Sequence, residues 1–321
     1  MTVLVIGGAG FVGLNIVEAL LTAGRAVRVY DTAPPPEAAA RAFAGLPGTV
    51  ELQLGDVRDA QGLRAAVAGC SELIYGAAIT AGTERDRDAP ELTLSVNLTG
   101  FLTALEAARD SAVRRVINLS SAGAYGAAAF RGTGPLTETE PCDPESVYSL
   151  TKFGSERLGA RMAAVWGLDV VSVRLSGVFG RWERGTGVRD TLSPQHQILE
   201  AARAGQPALI ERADARDWIY APDVARAVIG LLDADALTHS LYNISTGTTW
   251  SVLDWGQAFA TAWPGAECRL AEPGESPTIS LHSTADRRRL DISRLEAELG
   301  PRRCFGFEQS AADYAAWARD L

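Results

Sequence analysis

The sequence predicts an α/β protein: a Rossmann-type, doubly wound parallel sheet with a smaller C-terminal substrate-binding domain. Three observations predict it. Short β-branched runs alternate with helical patterns through the first half, as in βαβ units whose strands are buried on both faces. Gly7-Gly8-Ala9-Gly10-Phe11-Val12-Gly13 follows the first run directly and opens a helical pattern, which suits a phosphate-cradling turn. After Leu175 the rhythm breaks into loops rich in Arg, Gly and Trp, the composition of a segment that lines a site rather than a sheet.

In chain order, strands are expected at 3–6, 27–30, 50–54, 72–75, 115–120 and 169–175, with helices at 12–22, 60–67, 92–109 and 146–166. Ala33-Pro34-Pro35-Pro36 is excluded from helix and inner strand and reads as a surface loop. Further helices are expected near 196–204, 222–232, 292–299 and 309–319, with another in the stretch that begins at Trp250. These assign residues 1–175 and 221–249 to a dinucleotide-binding domain, and 176–220 with 250–321 to a substrate domain.

A length of 321 residues suits this plan, and a net charge of −9 argues against a nucleic-acid or anionic-membrane partner. Cys70, Cys142, Cys268 and Cys304 lie far apart, and His196, His239 and His282 are scattered. Neither a metal site nor a disulfide framework is expected, and a reducing cytoplasm suits such thiols. No run of about 20 apolar residues is present to span a bilayer.

Within the glycine loop, Gly7, Gly10 and Gly13 serve the tight turn, the approach to a pyrophosphate and the packing of helix on strand. Phe11 and Val12 would then contact the cofactor through the first helical turn. Asp31 ends the second strand, where a carboxylate accepts both ribose hydroxyls of NAD and repels the extra phosphate of NADP. A plain turn aspartate is the other reading. Asp56-Val57 and Gly76-Ala77-Ala78 close the third and fourth strands, where a dinucleotide crosses the sheet edge, or are simple strand-to-helix turns. NAD is the expected cofactor.

The 30 basic residues include one lysine, Lys152, four positions after Tyr148. On a helix that spacing puts both on one face. A free phenol, with a pKa near 10, is a poor base, and a nearby ammonium favours its ionised form; bringing that pKa down to about 7 corresponds to roughly 4 kcal/mol. Ser120-Ser121 closes the fifth strand. Ser121 is the hydroxyl chosen to hold the substrate oxygen that Tyr148 protonates or deprotonates, with Ser120 facing core or cofactor.

The sequence resembles the extended short-chain dehydrogenase/reductase family, in its NAD-dependent epimerase/dehydratase branch. The resemblance rests on GGAGFVG, the Asp31 strand end, LGDV at 54–57, SSAGAYG at 120–126, YSLTK at 148–152, RLSGVFG at 174–180, RDWIYAPDVA at 216–225 and YNISTG at 242–247. It implies a catalytic group of Asn97, Ser121, Tyr148 and Lys152, with Lys152 also on the nicotinamide ribose and Val178 beside the cofactor. It implies a homodimer paired through the helices that begin near Leu92 and Ser146. It also implies a sugar-like substrate near Arg216 and Arg287, to which the loop after the sixth strand would add Arg181.

Two departures narrow these expectations. Ala122 and Gly123 stand where dehydratases of the branch carry an acidic pair, which speaks against dehydration. The RxxN pattern that orients a sugar nucleotide reads Arg174-Leu175-Ser176-Gly177. An epimerase or dehydrogenase acting on a sugar-like substrate is therefore expected. A dehydrogenase or carbonyl reductase of a small non-nucleotide substrate, and more remotely a non-catalytic NAD sensor, are the alternatives.

Overall fold

A computed structural model describes residues 1–301 and 304–321. Seven parallel strands form the central sheet: β1 (Thr2–Ile6), β2 (Ala26–Asp31), β3 (Thr49–Leu54), β4 (Glu72–Tyr75), β5 (Arg115–Ser121), β6 (Asp169–Leu175) and β7 (Leu241–Ile244). Their spatial order is β7-β6-β5-β4-β1-β2-β3. The strand order reverses between β1 and β4, so the crevice between their carboxyl ends is where ligands bind in such sheets.

Alternation along β1 shows how the two faces are filled. Val3 and Val5 pack with Leu14, Val17 and Leu21 of the helix Phe11–Thr22 and with Val224 and Val228 of the helix Ala221–Asp233. Leu4 and Ile6 point the other way, into a layer with Leu63, Val67, Phe101 and Leu105. Burial on both faces explains why these strands read as unbroken apolar runs. A third core, around Phe179, Trp218, Trp250, Trp255 and Tyr314, belongs to the C-terminal part of the chain.

Two of the differences from the sequence reading bear on the sheet and the site. The seventh strand was not among the expected ones; Tyr242 and Ile244 are buried while Asn243 donates to the Glu138 carboxylate and to the Leu136 and Asp291 carbonyls, so this short strand lacks the apolar run that marks the others. The helix expected over 92–109 is three pieces: Pro90–Leu94, a π-helical turn at Ser95–Thr99, and Gly100–Arg109. Asn97 sits in that wider turn, its side chain bonded to both backbone groups of Ile79. Among the described residues, no helix is long and apolar enough to cross a membrane.

Candidate active site

A cavity of about 700 Å³ opens at the carboxyl ends of the strands. Its walls bring together Gly7, Gly10, Phe11, Val12 and Gly13 from the first turn, Gly76 and Ala78 after β4, Ser121 at the end of β5, Tyr148 and Lys152, and Val178, Arg216 and Arg287 from the later chain.

The glycine turn is built by exclusion. A Cβ on Gly13 would stand 2.1 Å from the carbonyl oxygen of Gly7, so only glycine lets the helix start this close to the turn. The helix Phe11–Thr22 carries no side-chain N-cap and no acidic residue in its first turn. Its leading N–H groups are thus left for an anion, and a dinucleotide diphosphate fits them. Asp31 lies outside the cavity lining, with its carboxylate accepting from the backbone N–H of Ala9 at 2.9 Å and of Thr32 at 2.8 Å. That fastens an acidic group beside the glycine turn. Asp31→Ala is expected to cut the preference for NAD over NADP about tenfold or more, by removing like-charge repulsion; calorimetric titration with both dinucleotides measures it.

Tyr148 and Lys152 lie in the first two turns of the helix Val147–Trp166. A reciprocal capping box between Ser146 and Ser149 sets its start, and Gly167 in a left-handed conformation ends it. The Lys152 Nζ donates to the Leu119 carbonyl at 2.7 Å and lies 5.8 Å from the centre of the Tyr148 ring. Burial pulls its pKa down to about 8, against an opposing pull from Glu156. The Tyr148 phenol is pushed up by burial and drawn back by the Ser121 hydroxyl, the Arg189 guanidinium and the Thr80 hydroxyl. Ser121 Oγ also accepts the Gly123 N–H at 3.0 Å, which fixes its direction.

Ser120 points to the opposite face, as the pleat requires, and donates to Glu156 at 2.5 Å. Glu156 is held in turn by Arg174 through two bonds, at 2.9 and 2.7 Å.

Several expected residues are placed elsewhere. Asn97 does not line the cavity; its donors are spent on Ile79 and Thr151, so it ties the segment after β4 to the Tyr148 helix. Arg181 does not line it either. Gly180, with φ of 126°, turns the chain so that Arg181 forks onto Asp313 at 2.6 to 3.0 Å. Asp56 is paired with Arg58, Val57 is buried against the Gly100 helix, and the Ala77 backbone packs on Gly7. None of these three lines the cavity. Arg216 and Arg287 do, each carrying a carboxylate partner: Asp214 for one, Asp217 for the other. The Nε of each is buried with no hydrogen-bond partner among the described residues.

Sequence reasoning expected the loop after the sixth strand to reach the site through Arg181, whereas the structure brings in the residues of the strap that follow it. Glu183, Arg184, Val188, Arg189 and Asp190 line the cavity. Glu183 accepts from Arg189 at 2.7 Å and from both the backbone and hydroxyl of Ser193. Arg184 Nη2 donates to the Ala9 carbonyl at 2.7 Å, so the strap touches the glycine turn. Val188, Arg189 and Asp190 carried no signal of their own beyond the composition of that loop.

Residues 3–245 match the model of the NAD dependent epimerase/dehydratase family. A dTDP-glucose 4,6-dehydratase of Mycobacterium tuberculosis is 30% identical over 236 residues, 73% of this chain and 69% of that protein. A UDP-glucose 4-epimerase of Streptomyces lividans is 27% identical, over 89% of this chain and 88% of its own. Sterol demethylase protein B of Methylococcus capsulatus is 36% identical over 57% of this chain, which spans about half of that relative's length, 53%. Among solved structures, UDP-glucose 4-epimerase of Thermotoga maritima superposes with a TM-score of 0.81 at 22% identity, covering 100% of this chain and 99% of the other. MoeE5 in complex with UDP-glucuronic acid and NAD gives 0.79 at 24%, over 100% and 99%. At such identities these superpositions speak for the fold.

Proposed function

The chain belongs to the NAD dependent epimerase/dehydratase family, and from that premise we propose that it oxidises a secondary alcohol carbon, or reduces the matching ketone, on a sugar-like substrate. The observation that carries this reading is the meeting of Ser121, Tyr148 and Lys152 in one cavity with the uncapped helix start at Phe11. NAD, when bound, supplies the hydride acceptor. Tyr148, as phenolate, takes the hydroxyl proton while the carbon–hydrogen bond breaks, and returns it in the reverse direction. The Ser121 hydroxyl holds the reacting oxygen. The buried Lys152 amine, when protonated, favours the phenolate and has donors left for the nicotinamide ribose.

Epimerisation or net oxidation is favoured over dehydration. Ala122 and Gly123 supply no acid or base beside Ser121. Of the three cavity carboxylates, Glu183 is taken by Arg189 and Ser193 and Asp190 by Gly82 and Arg85, which leaves Glu145 alone where dehydration calls for an acidic pair. Arg216 and Arg287 suit an anionic part of the substrate. Two copies paired through the Pro90–Arg109 and Val147–Trp166 segments are supported by the exposure of Leu94 and Leu150.

A second reading, a substrate without a nucleotide, is favoured by one feature. A Cβ on Gly177 would stand 2.5 Å from Trp218, so an indole fills the place of the amide in the family's RxxN pattern. Incubating the protein and NAD with free sugars, sugar acids, UDP-glucose and dTDP-glucose separates the cases. Isomer without net NADH is the expected result for an epimerase, and stoichiometric NADH for a dehydrogenase. A 4-keto-6-deoxy product from dTDP-glucose would overturn the argument from Ala122 and Gly123.

A further inference from the structure

The strap that follows Gly180 is stitched to the segment after β4. The Thr80 N–H donates to the Val188 carbonyl at 2.8 Å, and the Asp190 N–H donates to the Thr80 carbonyl at 3.2 Å, so Thr80 and Arg189 pair as a short parallel bridge. Asp190 strengthens the seam by accepting from the Gly82 N–H at 2.7 Å and from Arg85. Both Thr80 and Arg189 open onto the cavity that holds Tyr148. The guanidinium of Arg189 is aimed by two contacts: Glu183 at 2.7 Å, and the Phe11 ring, whose centre is 5.5 Å away.

We propose that Thr80 and Arg189 are positioning residues for the Tyr148 phenol: the Thr80 hydroxyl flanks the phenolic oxygen together with Ser121, and Arg189 supplies a second positive charge beside it. This deepens the reading of Tyr148 as proton carrier and rests on it. Lys152 reaches the tyrosine from its own helix through the ring, 5.8 Å from its centre, and spends one donor on Leu119. Thr80 acts from the segment after β4 and Arg189 from the strap, where Glu183 supplies the opposing charge.

The neighbouring charges support the assignment. The Tyr148 phenol and the His282 imidazole line the same cavity as Arg189, and both are drawn downward by its charge. His282, on the cavity wall, keeps part of its surface exposed and is drawn below the usual imidazole range by partial burial and by Arg189 and Arg216, so it stays neutral through the range where Tyr148 titrates. Glu183 offsets part of the Arg189 charge and Asp190 is occupied by Arg85. Glu145 ahead of the helix and Arg184, Arg216 and Arg287 on the walls complete the charged lining.

The test is an ultraviolet titration of tyrosinate in the NAD-saturated protein, taken as a difference against Tyr148→Phe. The other six tyrosines help, because burial pushes each of them up, Tyr125 to about 12. Arg189→Gln is expected to lower the Tyr148 ionisation constant about tenfold, moving the transition about one pH unit upward. Thr80→Val should move it the same way by less, and Arg189→Lys should titrate close to the parent. An Arg189→Gln curve that overlays the parent would overturn the proposal, as would an Arg189→Lys displacement as large as that of Gln. If Arg189→Gln does not fold, the Thr80→Val and Arg189→Lys pair decides by the same criteria. Turnover that survives Tyr148→Phe would instead sink the proton-carrier reading, while the titration would still report whether Arg189 acts on the phenol.

Discussion

Tyr148→Phe is expected to lower turnover about 10²- to 10⁴-fold, the range that a positioned acid/base contributes, while NAD binds as before. Only the phenolic oxygen is removed, and the structure gives it no backbone or capping role: the helix start is set by Ser146 and Ser149, and the glycine turn by Gly7 and Gly13. The ring itself stays, so the cation contact with Lys152 and the packing of the first helical turn are retained. Ser121 would still hold a substrate oxygen, so binding should weaken far less than the chemical step. NAD affinity by calorimetry and turnover on a substrate from the panel, measured on the same preparation, separate the two. Loss of both together would assign Tyr148 to folding rather than to proton transfer.

The parts of this fold that are local in sequence were legible in it. β-branched runs bounded by turns announced six strands of the sheet, and the glycine turn announced the first crossover. The seventh strand escaped because its edge position and its buried Asn243 dilute the apolar run. The break at Asn97 escaped because a π turn is decided by a tertiary partner, the Ile79 backbone, some 18 positions away. Asn97 and Arg181 show the same limit at the site. A polar residue's type restricts what it can bind, but the direction it faces depends on a turn such as Gly180 and on a partner such as Asp313, which lies 132 positions further on. Thr80 and Arg189 enter the cavity through a bridge between two loops, and loop-to-loop pairing has no periodicity to read. Tyr148 and Lys152 were readable because helical spacing alone puts them on one face.

Lys152→Met is expected to move activity and stability in opposite directions. The amine is buried, and its pKa falls from 10.5 to about 8, so below pH 8 the folded chain holds a charge that burial disfavours. A tenfold change in proton affinity corresponds to about 1.4 kcal/mol, which sets the penalty at roughly 3 kcal/mol. Removing Nζ also forfeits its hydrogen bond to the Leu119 carbonyl, worth about 1 kcal/mol. A methionine of similar length fills the space, so the variant should be about 2 kcal/mol more stable than the parent at pH 7. The sign follows from proton counts. Between pH 8 and 10.5 the unfolded chain keeps the lysine proton that the folded chain has released, so the Lys152 contribution to stability rises with pH and the penalty vanishes above that window. The advantage of the methionine variant should therefore shrink steadily from pH 8 upward. Buried thiols and tyrosines titrate in the same region, and subtracting the two denaturation series at each pH removes them. Turnover should meanwhile drop about 10²-fold or more, because the phenolate loses its ammonium. A variant less stable than the parent at pH 7 would mean that Lys152 is compensated in the fold by more than Leu119 and Glu156. A variant that is stabilised yet active would separate the lysine from the chemistry.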